Sequence, residues 1–188
     1  MPKVNSEVWW DSIAEKWKDK GDKRQRPSEY SILANRITFG PVLEVGCGVG
    51  SFFPYVGAAR NYMGLDISGK MILEARKSHP SGFFLKGDVL KLGTAQYTGA
   101  FEWVASLQTL EHFPQETFNA LMEKFQKISR QGLLFSVPSV PAYKHQGHVL
   151  SWLSVDDIQK DFGRYGEVEM IELPEEIQHF AGVVKWQS

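Results

Sequence analysis

Residues 42–50 read Val42-Leu43-Glu44-Val45-Gly46-Cys47-Gly48-Val49-Gly50. A short apolar run that begins at Pro41 ends in an acid and three glycines at alternate positions, Gly46, Gly48 and Gly50. Glycine removes the side chain that would hold a ligand away from the backbone. A strand that runs into a glycine turn and then a helix is the usual opening of a nucleotide-binding α/β domain. A second apolar run, Tyr62-Met63-Gly64-Leu65, ends in Asp66, at the spacing of about 20 residues expected for such a domain. A carboxylate there sits at the tip of the next strand, where it can accept both hydroxyls of a ribose.

The glycine spacing separates two kinds of ligand. A dinucleotide site wants G-x-G-x-x-G, with the helix start free to face a pyrophosphate. Here the third glycine comes one residue early and Ser51 takes the dinucleotide position. Glu44 would also repel a pyrophosphate. E-x-G-x-G-x-G followed by an acid at the end of the second strand resembles the class I S-adenosylmethionine-dependent methyltransferases, and among them the type 11 small-molecule enzymes. Their ligand carries no phosphate, so an acidic loop is tolerable.

The bulk numbers fit such a domain. A length of 188 residues is one domain with a single good core. A formal net charge of −1 argues against a broad basic surface for nucleic acid. Cys47, the single cysteine, has no internal partner, so a cytoplasmic location fits. It reads as a small residue beside a ligand rather than a nucleophile. No run reaches the length of a membrane span, and Met1-Pro2-Lys3-Val4-Asn5 shows no signal-peptide pattern.

Hydrophobic periodicity sets the organisation. Trp10, Ile13 and Trp17 recur at helical spacing. Residues 21–27 are polar and basic, and Ser28 is expected to cap a short helix through Arg36. Strands are expected at about 41–46, 61–66, 83–86, 101–107 and 133–137. Helices are expected at about 50–59, from the cap Ser68 to Lys77, from Pro114 to Ser129, and over 155–162. At most one helical turn is expected near Thr94. This alternation implies a doubly wound, mostly parallel sheet with helices on both faces. Two late strands, at about 166–173 and 179–186, resemble the antiparallel sixth and seventh strands that close the family's seven-stranded, Rossmann-like sheet. The resemblance covers residues 38–188, with 1–37 as an N-terminal helical cover or lid.

Ligands of such sheets bind beyond the C-terminal strand ends. The resemblance implies that Glu44, Gly46, Cys47 and Gly48 face the amino-acid half of S-adenosylmethionine and that Asp66 holds its ribose. Ile67 would pack on adenine, with Ser68 beside it. Asp88 would bond the adenine amino group, with Val89 donating from its backbone. Leu107 and Gln108 would lie near the methionine part. Asp66 and Asp88 can also be read as a strand-end cap and a turn residue.

Leu107-Gln108-Thr109-Leu110-Glu111-His112-Phe113 resembles the segment after strand four in small-molecule methyltransferases. His112 there is either a substrate-facing base or a cap for the helix opened by Pro114. The N-P-P-Y-type tetrapeptide of amino methyltransferases is absent. His145 and His148, in the loop after strand five, are further candidate bases, as in type 11 relatives that act on hydroxyl or carbon acceptors. No nearby acid or cysteine completes a metal site with them, so no metal is expected. Trp10, Trp17, Tyr30, Tyr143 and Trp152 could form an aromatic lid, since aromatic faces attract a sulfonium. Trp10 and Trp17 can equally bury an N-terminal helix. Arg24 or Arg26 could pair with the cofactor carboxylate or stay solvated.

Methyl transfer asks little acid–base chemistry of a protein. Alignment and desolvation can supply on the order of 7–11 kcal/mol. A base helps when the acceptor is a hydroxyl or a protonated amine. The expected activity is transfer of a methyl group to a small molecule, hydroxyl oxygen first and then carbon or nitrogen. The spent cofactor is S-adenosylhomocysteine. The alternatives are a non-catalytic cofactor-binding partner subunit of the same fold, or a methylase of RNA or protein. The expected partners are the small acceptor and no membrane, with nucleic acid disfavoured; the protein would be a monomer or homodimer.

Overall fold

The computed structural model describes Lys3 and residues 5–18, 27–56, 61–139 and 147–187, without the side chains of residues 16–18, 27 and 94. Its strands are β1 (Val42–Val45), β2 (Tyr62–Asp66), β3 (Phe83–Lys86), β4 (Phe101–Leu107), β5 (Ser129–Pro138), β6 (Gly166–Ile171) and β7 (His179–Trp186). They form one seven-stranded sheet in the order β3-β2-β1-β4-β5-β7-β6. β1 to β5 are parallel, and β7 runs against both β5 and β6. β1 and β4 are buried along their whole length. A strand covered on both faces reads as a continuous apolar run rather than an alternating one, which is why these strands stand out in the sequence.

The helices are α1 (Glu7–Lys18), α2 (Pro27–Ala34), α3 (Phe53–Val56), α4 (Gly69–Ser78), α5 (Thr94–Tyr97), α6 (Gln115–Ile128) and α7 (Val155–Phe162). Successive strand residues point to opposite faces, and the core divides accordingly. Leu43, Val45 and Val104 pack with Phe118, Leu121, Phe125 and Phe162 of α6 and α7. Val42, Trp103 and Ala105 pack with Leu33, Phe53, Ile72 and Ala75 of α2, α3 and α4. The result is the doubly wound, Rossmann-like sheet that the strand–helix rhythm predicts.

Local chemistry sets the helix starts. Ser68 accepts from Met71 N at 3.1 Å and caps α4. Ser154 and Asp157 form a reciprocal capping box at α7. α2 begins at Pro27 rather than after Ser28, because the fixed φ of proline suits a first helical position. α3 has Pro54 in its first turn and begins at Phe53, later than the start at about 50 expected for the helix over 50–59. Residues 57–60 lie outside the described set. β5 starts four residues before the apolar run, since Ser129 closes α6 and at once pairs with Phe101. No described helix is long and apolar enough to cross a membrane.

The N-terminal segment is held to the sheet layer by polar contacts. Asp11 Oδ1 accepts from Ser68 Oγ at 2.6 Å and from Lys70 N at 3.1 Å. Glu7 pairs with Lys86, and Glu15 with Lys70. α1 thereby supplies an acceptor to the backbone N–H of Lys70 at the start of α4, a position that favours a negative charge.

Candidate active site

The turn after β1 takes a backbone path that suits glycine. Gly46, Gly48 and Gly50 have φ of +77°, +53° and +80°. A Cβ on Gly46 would stand 2.3 Å from Thr109 Oγ1, whereas a Cβ on Gly48 would meet nothing within 4 Å. Gly46 is therefore needed for packing, and Gly48 leaves open space. Asp66 Oδ2 accepts from Gly48 N at 2.9 Å, and Oδ1 accepts from Ser68 N at 2.8 Å. These bonds tie the glycine turn to the tip of β2 and orient a group with roughly four acceptor positions.

The strand tips open into a cavity of about 670 Å³, within the usual range of about 300–1,000 Å³ for small-molecule sites. Glu44, Gly46, Cys47, Gly48, Asp66, Ile67, Asp88, Val89, Leu107 and Gln108 all contribute to its wall. Ser68 does not: it is fully buried, donating to Asp11 and capping α4. Its expected place beside the cofactor is thus corrected to a joint between α1 and α4. Asp88 Oδ1 also accepts from Leu90 N at 3.0 Å and caps a 3₁₀ turn. Gln108 has φ +52°, a conformation that costs a non-glycine residue on the order of 1–3 kcal/mol. Ser136 fixes it: Gln108 N donates to Ser136 O at 2.8 Å, and Gln108 Nε2 to Ser136 Oγ at 3.3 Å.

Burial governs the acids and thiols of the turn. Glu44 is buried and accepts a hydrogen bond from Tyr62 Oη. Burial pushes its carboxyl up to about 8, with the Asp66 charge adding to the rise and the Tyr62 bond opposing it. At neutral pH Glu44 therefore holds its proton for most of the time, so its repulsion of a pyrophosphate is weaker than the sequence suggests. Burial likewise pushes the Cys47 thiol well above its ordinary range. Such a thiol has little thiolate at neutral pH, which opposes a nucleophilic role for Cys47.

Also on the cavity wall, the segment after β4 meets the segment before α7. Val149 N and Leu150 N both donate to Glu111 O, at 2.7 and 3.0 Å. Asn5 Nδ2 donates to His112 O at 2.7 Å and to Gly147 O at 2.8 Å. His112 Nδ1 lies 3.2 Å from Gly147 O; a carbonyl only accepts, so Nδ1 carries the proton. His112 Nε2 stands 3.7 Å from Glu111 Oε1. The rings of His112 and His148 are 5.1 Å apart, and Trp10 packs edge-on against His112 at 4.8 Å. Of the two readings of His112, the helix cap fails, because Pro114 occupies that position on α6. The expectation that no acid stands near His148 is also overturned: Glu111, His112 and His148 form one cluster on the cavity wall.

Residues 42–132 match the family model described as "Methyltransferase domain". Residues 42–132 thus carry a methyltransferase domain. A malonyl-[acyl-carrier protein] O-methyltransferase of Pectobacterium atrosepticum is 42% identical over 80 residues, which are 41% of this chain and 32% of that protein. The matched stretch thus spans about a third of that relative. The magnesium protoporphyrin IX methyltransferase of Synechocystis, solved with bound S-adenosylhomocysteine, has a TM-score of 0.60 at 20% identity, over 96% of this chain and 83% of its own. A complex between the Haloferax volcanii Trm112 methyltransferase activator and a methyltransferase gives a TM-score of 0.75 at 16% identity, over the whole of both chains. These structural likenesses show a shared fold.

Among the aromatic residues expected over the methyltransferase cleft, Trp10 and Tyr30 line the cavity. Trp152 is a core residue instead, with Nε1 donating to Asp161 Oδ2 at 3.0 Å. His145, Tyr143, Arg24 and Arg26 lie outside the described residues, as does the side chain of Trp17. Sequence reasoning missed Asn5, Trp9, Gln178 and His179, which also line the cavity. It missed the pairing of His179 Nδ1 with Glu29 Oε2 at 3.0 Å, which joins α2 to the start of β7. These partners are far apart in the chain, and no local pattern announces them.

Proposed function

We propose that this chain transfers a methyl group from S-adenosylmethionine to the hydroxyl oxygen of a small acceptor, with carbon and nitrogen as less favoured acceptors. One observation carries the reading. The glycine turn with Asp66, and the polar cluster around His112, line one and the same cavity. The names of the relatives point the same way, one being an O-methyltransferase.

The residues fit the donor. Gly48 leaves the turn open for close approach. Asp66, held by two backbone N–H groups, presents a carboxylate to ribose hydroxyls. Ile67 is exposed on the wall as an apolar surface for the base. S-adenosylmethionine supplies a methyl group on a positive sulfur: the acceptor oxygen bonds to the methyl carbon while the carbon–sulfur bond breaks, and that electron pair stays on sulfur. Trp10 and Tyr30 cover the reacting end with aromatic surface, which excludes water and suits a cation. His112 and His148 stand where an acceptor hydroxyl proton can leave. A net charge of −1 favours a small acceptor over nucleic acid.

Titration calorimetry with S-adenosylmethionine and with NAD tests the reading. Micromolar binding of the first, none of the second, and at least tenfold weakening in Asp66→Ala are expected. Tight NAD binding, or no S-adenosylmethionine binding, overturns it. A panel of phenols, sugars, amines and thiols, read by release of S-adenosylhomocysteine, then assigns the acceptor atom.

A further inference from the structure

We propose that Glu111, His112 and His148 bind one divalent first-row transition-metal ion on the cavity wall. Each offers one ligand atom, and these atoms all lie within 4.8 Å of one another. A carboxylate and two imidazoles make the His₂Glu set that holds catalytic zinc, and the same donors in a facial array hold iron(II). Ligand atoms at about 2.0–2.2 Å from a tetrahedral ion stand roughly 3.3–3.6 Å apart. The 3.7 Å between His112 Nε2 and Glu111 Oε1 is already close to that spacing.

The surroundings preorganise the set. The proton on His112 Nδ1 is held by Gly147 O. This is the backbone-carbonyl partner that fixes the tautomer of a metal-bound histidine and turns the other nitrogen toward the ion. Nε2 is the nitrogen that faces the Glu111 carboxylate. Asn5 grips His112 O and Gly147 O together, and the two N–H donors of residues 149 and 150 grip Glu111 O. His148 is therefore carried to the cluster on a clamped backbone, although it lies on a segment far along the chain. Three protein ligands leave a tetrahedral ion one open position, and the three residues line the cavity itself. An acceptor hydroxyl bound there would lose its proton more readily and would be held in place. This role rests on the methyl-transfer reading; the binding of the ion does not.

Cobalt(II) is the probe, because its visible absorption reports coordination. The 188-residue chain is stripped with chelator and titrated with cobalt(II) by calorimetry and absorption. One equivalent at micromolar affinity, with tetrahedral or five-coordinate d–d bands, is expected. His148→Ala and Glu111→Gln should each weaken binding at least tenfold, while leaving S-adenosylmethionine affinity within about twofold. Melting temperature checks that each variant folds. Glu111 is buried, so His148→Ala, at a half-buried position, decides the matter if Glu111→Gln does not fold. No stoichiometric cobalt binding, or binding that His148→Ala leaves unchanged, overturns the site and leaves the cluster as a set of polar contacts. Cobalt binding without S-adenosylmethionine binding upholds the metal site and sinks the methyl-transfer reading; the reverse result separates them the other way.

Discussion

Gly46 and Gly48 serve the turn after β1 for different reasons, and substitution separates them. At Gly46 an added methyl collides with Thr109 and the φ of +77° is unfavourable. At Gly48 the φ is +53° but the methyl enters open space. Gly46→Ala should lose on the order of 1–3 kcal/mol of stability together with cofactor affinity. Gly48→Ala should lose cofactor affinity at least tenfold with the smaller stability loss. Urea unfolding beside calorimetry checks both; equal destabilisation would contradict the assignment. Glu44 makes a second prediction. Its carboxyl titrates near 8 in the fold and near 4.5 in a free chain. Between those values the folded state binds more protons than the unfolded one, so stability falls as pH rises. The stabilising contribution is complete below about 4.5 and is lost through about 8. The melting temperature of ligand-free protein should therefore drop from pH 5 to pH 9, and Glu44→Gln should flatten that slope. A slope unchanged in the variant would assign it to other groups.

At the scale of elements, α1 is held largely by what it gives to α4. Asp11 accepts from both Ser68 Oγ and Lys70 N. Asp11→Ala should cost about 1–2 kcal/mol and speed amide exchange across α1, read by hydrogen-exchange mass spectrometry; unaltered exchange there would show that apolar packing holds the helix. Nothing in the local sequence of α1 reveals this, because Asp11 and Ser68 are 57 residues apart. The elements that were legible are those with a strong one-dimensional signal. β1 and β4 are continuous apolar runs, and α6 repeats Phe118, Leu121, Met122 and Phe125 on one face. The first half of β5 was hidden because Arg130 and Gln131 are exposed and polar. α3 starts at Phe53 rather than at about 50, because the turn that follows β1 continues through residues 50–52.

For the molecule as a whole, the glycine turn and Asp66 were readable since strand, turn and acid follow at fixed spacing. The rest of the cavity wall was not, since it draws on Asn5, Glu111, His112, His148 and His179, which come from the N-terminus, two loops and the last strand. Their convergence has a thermodynamic consequence. The cavity exists only when the N-terminal segment, the strand tips and the segment before α7 are in place together, so the unfolded chain offers the cofactor no comparable site. A ligand that binds only the native state at 100 times its Kd stabilises by about 2.7 kcal/mol. For a domain of this length each kcal/mol raises the melting temperature by roughly 2–4 °C. S-adenosylmethionine at that saturation should therefore raise it by about 5–10 °C. Asp66→Ala, at least tenfold weaker, should lose about half of the rise or more at the same concentration, while Asp11→Ala should lower the starting temperature and keep the rise. Differential scanning fluorimetry over a range of cofactor concentrations distinguishes the two. A rise that survives in full in Asp66→Ala would mean that the ligand stabilises the fold from somewhere other than the tips of β1 and β2.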